Sequence, residues 1–255
     1  MVNNKIIYKY LDIDGALAML KGRNLQFTNA TYFNDPFDCH PKLINYMNTP
    51  ESESGWAPHD FIRDMAENRL ENFRNSVWIS CFSKVFDNLL MWAYYSNHKG
   101  VCVGMNRDML AKYIDASLGL MAFGSGIEVE YKDIIDRPDY YKPKEDLWKY
   151  QICTKGLQWA HEQEVRLAIV KPSPWVYHMV NRKTKKGEII DWKEVRFYPI
   201  IGAECFNSIY LGCRINEEDK ERVINLIKTY YPNVSVFQMS VNPDRFGLDA
   251  QLIEI

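Results

Sequence analysis

No stretch of this chain approaches the roughly 20 consecutive apolar residues that a membrane span needs, so a bilayer is not an expected partner. Charge of one sign is also scarce. A net charge of -2 gives no general positive field for coating nucleic acid. The six cysteines (Cys39, Cys81, Cys102, Cys153, Cys205, Cys213) form no CxxC pair and lack the density of a secreted disulfide scaffold. They read as reduced thiols of a cytoplasmic protein. Cys39-His40 and His161-Glu162 are adjacent pairs without the spacing of a zinc site, so no metal is expected. Internal repeats, low-complexity segments and a convincing linker are missing too. The chain opens Met1-Val2-Asn3-Asn4-Lys5 and turns to strand-like sequence at once, with no apolar signal segment.

What is present is a globular composition. The chain has 255 residues, 47% apolar and 25% charged, enough to bury a sizeable core in one domain spanning 1–255. Aromatic content is 14%, which suits a cleft lined with flat side chains and suits a large core equally well.

The pattern of elements is mixed. Strands are expected at 5–10, 25–28, 77–83, 100–105, 127–131, 167–170, 209–211 and 234–237. A short helix capped by Asp12 or Asp14 and closed by Gly22 carries apolar Ala16, Leu17, Met19 and Leu20. Further helices are expected at 59–75, 89–95, 145–158 and 217–230. Residues 49–58, polar with two prolines, read as a mobile loop. Residues 181–187 (Asn-Arg-Lys-Thr-Lys-Lys-Gly) read as a basic hairpin tip between strands at 176–179 and 188–190. Strict βαβ alternation is absent. The expected fold class is α+β, a single domain with a curved or split, mostly antiparallel sheet flanked by helices.

The segment Trp159-Ala160-His161-Glu162-Gln163-Glu164-Val165-Arg166 carries the most chemical information. It sets two carboxylates one residue apart, then an arginine, where a polar turn meets the apolar strand Leu167-Ala168-Ile169-Val170. On an extended backbone, residues two apart share a face. Glu162, Glu164 and Arg166 are therefore expected along one side of a cleft. Two like charges so close raise each other's proton affinity or need a cationic partner. A salt-bridged start to a strand, with Arg166 neutralising Glu164, is the plain alternative.

Four segments occur in order. They are Tyr8-Lys9-Tyr10; Phe33-Asn34-Asp35-Pro36-Phe37-Asp38; Ser80-Cys81-Phe82-Ser83 with Leu90-Met91-Trp92-Ala93-Tyr94-Tyr95 and His98-Lys99-Gly100-Val101-Cys102; and Trp159 with Glu162, Glu164 and Arg166. Together they resemble a bacterial and phage family of domains of unknown function, to which abortive-infection proteins of the AbiGi type are similar. The resemblance covers most of the chain and implies a component of phage defence or of a toxin system.

More distantly, the chain is similar to ADP-ribosyltransferases. These carry an Arg or His on the first strand, a Ser-Thr-Ser-like strand in the middle and a Glu-x-Glu or lone Glu late. The resemblance implies NAD as substrate, with Glu164 as the catalytic carboxylate that binds the ribose and stabilises the oxocarbenium ion as nicotinamide leaves. Glu162 would orient the acceptor or tune Glu164. Ser80 and Ser83 would shape the nicotinamide pocket. Tyr8, Lys9 and Tyr10 would hold ribose or phosphate, and Tyr95, Tyr94 or Trp92 would stack on a ring. The chain departs from the pattern in two places. The first strand lacks the Arg or His, Lys9 having no planar fork, and Cys81-Phe82 interrupts the serine strand. The acceptor, protein or nucleic acid, is not specified.

Other candidates each have a structural alternative. Asn34-Asp35-Pro36 is a turn signature, although Asp35 or Asp38 could close over the cleft. Trp92 to Tyr95 lie at helical spacing and suit core packing. His98 could cap the helix before it or donate to a phosphate. Cys81 and Cys102 suit inert core thiols, and no local feature activates Cys39 or Cys81 toward His98 or His161 for a cysteine protease. Glu130 and Lys132 on one face of a strand would fit a Mg²⁺-dependent nuclease. That site would need an aspartate on a neighbouring strand, and Asp108 and Asp115 read as helical. A non-enzymatic nucleotide sensor would keep the same cleft without turnover.

Overall fold

The chain begins with strand β1 (Ile6–Leu11), which runs into helix α1 (Ile13–Gly22). Asp12 starts that helix, its side chain accepting from the Gly15 amide at 2.7 Å. The next residue after the helix, Arg23, takes the left-handed conformation at φ 47° that ends it. A computed structural model describes residues 5–50, 58–118, 122–170 and 195–255. The expected basic hairpin tip with its flanking strands, and most of the 49–58 loop, lie outside these residues.

After β2 (Phe27–Asn29) come helix α2 (His59–Asn75), β3 (Val77–Ser83), α3 (Leu89–Ser96), β4 (Val101–Asn106) and α4 (Arg107–Leu118). Then follow β5 (Ala122–Glu128), β6 (Glu130–Lys132), α5 (Leu147–Cys153), β7 (Thr154–Gly156), a 3-10 segment (Leu157–Glu162) and β8 (Glu164–Val170). The described chain closes with β9 (Arg196–Phe197), β10 (Phe206–Leu211), α6 (Glu217–Tyr230), β11 (Ser235–Val241) and β12 (Leu248–Ile253).

The sheet is large, open and mostly antiparallel, in the order β12-β11-β10-β4-β1-β3-β2-β9, with β8 against β3 and β5 against β8. Within it, β10 and β11 pair in parallel. β1 and β4 pair along their whole length, from Ile6↔Asn106 to Leu11↔Val101. β3 and β8 do the same, from Val77↔Val170 to Ser83↔Glu164. Between β1 and β3 the register contains a single pair, Tyr8↔Ser83. The sheet therefore has two wings that diverge from that point.

The principal core packs α1, α4 and α6 on one face, with Leu20, Leu25, Phe27, Val103, Leu167, Ile209 and Ile227 all fully buried. A smaller cluster of Leu43, Ile44, Leu70 and Tyr150 lies under α2 and α5. Among the described residues no helix is long and apolar enough to cross a membrane. All six cysteines are free thiols.

Three elements differ from expectation. The helix expected at 145–158 stops at Cys153, and Thr154–Gly156 pairs in parallel with β6 instead. β-branched Thr154 and Gly156 are poor helix formers, which leaves that stretch to the competing ladder. The strand expected at 127–131 is two strands, interrupted at Val129, whose amide donates to the Glu164 carbonyl at 3.0 Å. β12 was not anticipated, because its sequence Leu-Asp-Ala-Gln-Leu-Ile alternates only weakly.

Gly100 shows how tightly α3 is held to β1. A Cβ there would overlap the Leu11 carbonyl and crowd Ser96 Cβ. Gly100→Ala is expected to destabilise the protein by about 3 kcal/mol or more, the scale of an over-packed core position, as measured by urea unfolding. A loss within 0.5 kcal/mol, the roughly neutral range of surface changes, would contradict that packing.

Candidate functional site

Arg166 lies in the middle of β8 and is completely buried, at 0% exposure. A guanidinium cannot lose its proton to escape such a position, so the surrounding side chains must pair it. Its Nη1 and Nη2 donate to Asp38 Oδ1 and Oδ2, both at 2.7 Å. Nε and Nη2 donate to Glu164 Oε1 at 2.8 Å and Oε2 at 2.9 Å, and Nη1 reaches the Ile152 carbonyl at 2.7 Å. Two two-point pairs of this kind fix geometry as well as charge.

A second cation completes the cluster. Lys155, on β7, donates to Glu164 Oε2 at 3.2 Å and to Glu162 Oε2 at 2.5 Å, and its Nζ is 3.8 Å from Asp38. Tyr95 Oη, from α3, donates to Glu162 Oε1 at 2.9 Å. Tyr131 Oη accepts from the Glu164 amide at 2.8 Å. Two cations thus face three carboxylates, leaving one formal negative charge. Burial alone would raise the Glu164 carboxyl, but Arg166 and Lys155 outweigh it and pull the group down to about 2. Burial likewise opposes charge on Lys155, yet Glu164, Asp38 and Glu162 hold its amine above the usual lysine range.

This cluster forms one wall of a cleft of about 380 Å³ that opens where the two wings of the sheet diverge. Tyr8, Lys9 and Tyr10 line it from β1, Cys81 to Ser83 from β3, and Tyr32, Phe33 and Asn34 from the loop after β2. Tyr95, Asp38, Lys155, Glu162 and Glu164 also line it. Asn88 ties α3 to the opposite rim, its Nδ2 donating to the His161 carbonyl at 2.7 Å.

Several expectations change at this level of detail. Glu162 and Glu164 do not share an extended backbone. Glu162 ends the 3-10 segment, and Gln163 follows in the left-handed conformation at φ 46°. The two carboxylates converge because both reach Lys155. The two-residue rule holds only for Glu164 and Arg166, which do lie on one strand. Tyr10 lines the cleft with little freedom, since its hydroxyl donates to the Val85 carbonyl and its ring meets Trp92 edge-on. Trp92 is fully buried, and its indole donates to the Phe86 carbonyl, so it is a core residue. Asp35 shapes a turn, accepting from the Phe37 amide at 2.9 Å, while Asp38 is the group that enters the site.

Ser80 sits behind the wall and accepts from Lys9 Nζ at 3.2 Å. Ser83 faces the cleft and accepts from the Val85 amide. His98 is not brought to this cleft. Its amide closes α3 on the Trp92 carbonyl, and its ring lines a different cavity beside Arg214 and Phe246.

Lys155 and Tyr131 were missed. Charge balance is the signal that could have found the lysine, because three acidic groups around one arginine call for another cation nearby. Of the nuclease candidates, Glu130 and Lys132 pair with each other on β6 and Lys132 also pairs with Asp136, while Asp108 and Asp115 lie on α4. Among the described residues no group of three or more His, Cys, Asp and Glu side chains is arranged to hold a metal ion. No family model, curated protein or solved structure matches the chain.

Two outcomes follow from the charge cluster. Arg166→Ala should cost about 3–5 kcal/mol in urea unfolding, since it strands two buried carboxylates. Arg166→Lys should recover little, having one point of contact where the fork has several. A change under 1 kcal/mol for the alanine variant, the scale of an exposed pair, would show the network to be dispensable.

The second outcome concerns pH. Glu164 is depressed from 4.5 to about 2, so its contribution is present above pH 4.5 and is lost as the pH falls toward 2. Lys155 is raised, so its contribution is present below 10.5 and is lost as the pH climbs above that value. The contributions of these two groups should be constant between these limits, and the thermal midpoint should fall below the acid one as Glu164 takes up its proton. In an Arg166→Met variant the Glu164 carboxyl is pulled down less, so the acid-side fall should be shallower than in the wild type.

Proposed function

We propose that the cleft binds NAD and cleaves its bond between nicotinamide and ribose, as an ADP-ribosyltransferase or NAD glycohydrolase does. The observation that carries this is the pair Glu162 and Glu164, both held on Lys155 side by side in the wall of an aromatic-lined cleft where two wings of the sheet diverge.

The chemistry needs little else. When the ribose C1–nicotinamide bond breaks, the electron pair leaves with nicotinamide, whose ring charge is neutralised. Positive charge then develops at C1 and its ring oxygen. A fixed carboxylate in a water-poor site stabilises that charge without reorganising, and such a preorganised contact contributes several kcal/mol. Water or an acceptor hydroxyl then attacks C1, forming the new C–O bond and releasing its proton to solvent. The rings of Tyr95, Tyr32 and Phe33 offer flat faces for nicotinamide or adenine.

Within this proposal we assign the acting carboxylate to Glu162 and a positioning role to Glu164. Both Glu164 oxygens are engaged by the Arg166 fork and one also by Lys155, so moving it would break the buried network. Glu162 makes one contact per oxygen, to Tyr95 and Lys155, and can exchange either for a substrate group. Its place at the end of a turn, rather than inside a strand, allows that exchange.

Saturation of all four carboxylate oxygens favours a second possibility, a nucleotide-binding protein that does not turn its ligand over. The two are separated by calorimetric NAD titration together with assay of released nicotinamide, for wild type and Glu162→Gln. Turnover predicts saturable binding by both proteins, with release by Glu162→Gln lower by about 10²–10³-fold. Binding by both without release by either would leave the binding-only protein. No binding at millimolar NAD would overturn the assignment of this cleft to NAD.

A further inference from the structure

Lys9 stands apart from the charge network across the cleft. It projects from β1 and lines the cleft, and its Nζ donates to Ser80 Oγ at 3.2 Å and to the Cys81 carbonyl at 3.0 Å. Among the described residues no carboxylate is close enough to pair with it, whereas Lys155 on the opposite wall has three within 4 Å. A partly buried ammonium with no counter-ion within reach is a costly arrangement, and a lysine in such a place gives up its proton more readily than an exposed one.

The contacts suit the neutral amine. An uncharged amino group has two N–H donors and one lone pair. The Cys81 carbonyl can only accept, and Ser80 Oγ takes the second N–H, so both donors are used within the protein. The lone pair is then left for the cleft. Burial lowers the amine from its ordinary range, against smaller opposing contributions from Cys81 and Glu164. Phe82, whose ring centroid lies 5.0 Å from Nζ, also favours the cation, by the small amount of a cation–π contact.

We propose that Lys9 is a nucleophilic amine that forms a reversible imine with a small polyhydroxy aldehyde or ketone entering this cleft. The nitrogen lone pair adds to the carbonyl carbon, and the carbonyl oxygen takes up a proton as the nitrogen loses one, giving a carbinolamine. Loss of that hydroxyl as water leaves the C=N bond, so one amine and one carbonyl yield one imine and one water. The hydroxyls of such a ligand would meet Gln26, Thr28, Asn34 and Ser83, uncharged polar groups of the same cleft. This activity lies beyond NAD chemistry and needs neither Glu162 nor NAD.

The test treats the whole protein with glyceraldehyde and sodium cyanoborohydride at neutral pH, and maps the reduced adducts by peptide mass spectrometry. A lowered amine has a larger neutral, nucleophilic fraction at neutral pH. Lys9 should therefore react faster than the exposed Lys21 of α1, and its rate should level off at lower pH. Lys9→Met, an uncharged side chain of similar length, should abolish that fast adduct while leaving the Lys21 rate unchanged. Formaldehyde, which enters even a narrow cleft, serves as the second probe. Should Lys9 react no faster than Lys21 with both reagents, it is a charged structural lysine and the proposal fails. Fast reaction with formaldehyde alone would overturn the assigned ligand class.

Discussion

The pairing of buried Arg166 with Asp38 and Glu164 is the constraint from which the rest of the site follows. The guanidinium cannot be neutralised, so it must be matched on both edges, one match coming from its own strand and the other from a distant part of the chain. Asp38 arrives from the loop after β2, and Glu164 from the first residue of β8. Ile152 at the end of α5 offers a carbonyl to the same group. One side chain thus draws together three segments that share no secondary structure. Lys155 extends the pairing to Glu162, and Glu162 extends it to Tyr95 on α3.

A network of this kind is weak support for stability by itself, because desolvating five charges offsets much of their mutual attraction. Its value lies in position. Hydrophobic residues of similar volume could fill the same space with no cost of desolvation, but they would place no carboxylate on the cleft wall. The site also lies where β1 and β3 part after a single register pair. Divergence of the two wings leaves backbone and side chains facing open space, which the loop bearing Phe33 and Asn34 borders. Fold and charge thus converge on the same cleft, with the anionic wall on the β8 side and Lys9 on the β1 side.

Much of this was legible in the chain. The helices at about 59–75 and 217–230 and the strand at 77–83 were legible, because each has clear periodicity. The spacing placed Glu164 and Arg166 on one face of a strand, as they are, but it did not place Glu162 correctly. The sequence could not say that Glu162 belongs to a turn, since a left-handed Gln163 has no local signature. Lys155 was hidden because its neighbourhood reads as helix, and its true strand exists only by pairing with β6. His98 illustrates the reverse error. It lies close in sequence to Tyr95, yet the end of α3 turns the chain away, so the two face different cavities.

The most direct test of the central claim is a crystal structure of the protein with carba-NAD, an analogue whose nicotinamide cannot leave. The account places the nicotinamide-bearing carbon against the Glu162 carboxylate, with Arg166 still holding Asp38 and Glu164 unchanged. An analogue bound in the cavity beside His98 and Phe246, or seated in the cleft with its reactive carbon away from Glu162, would contradict it.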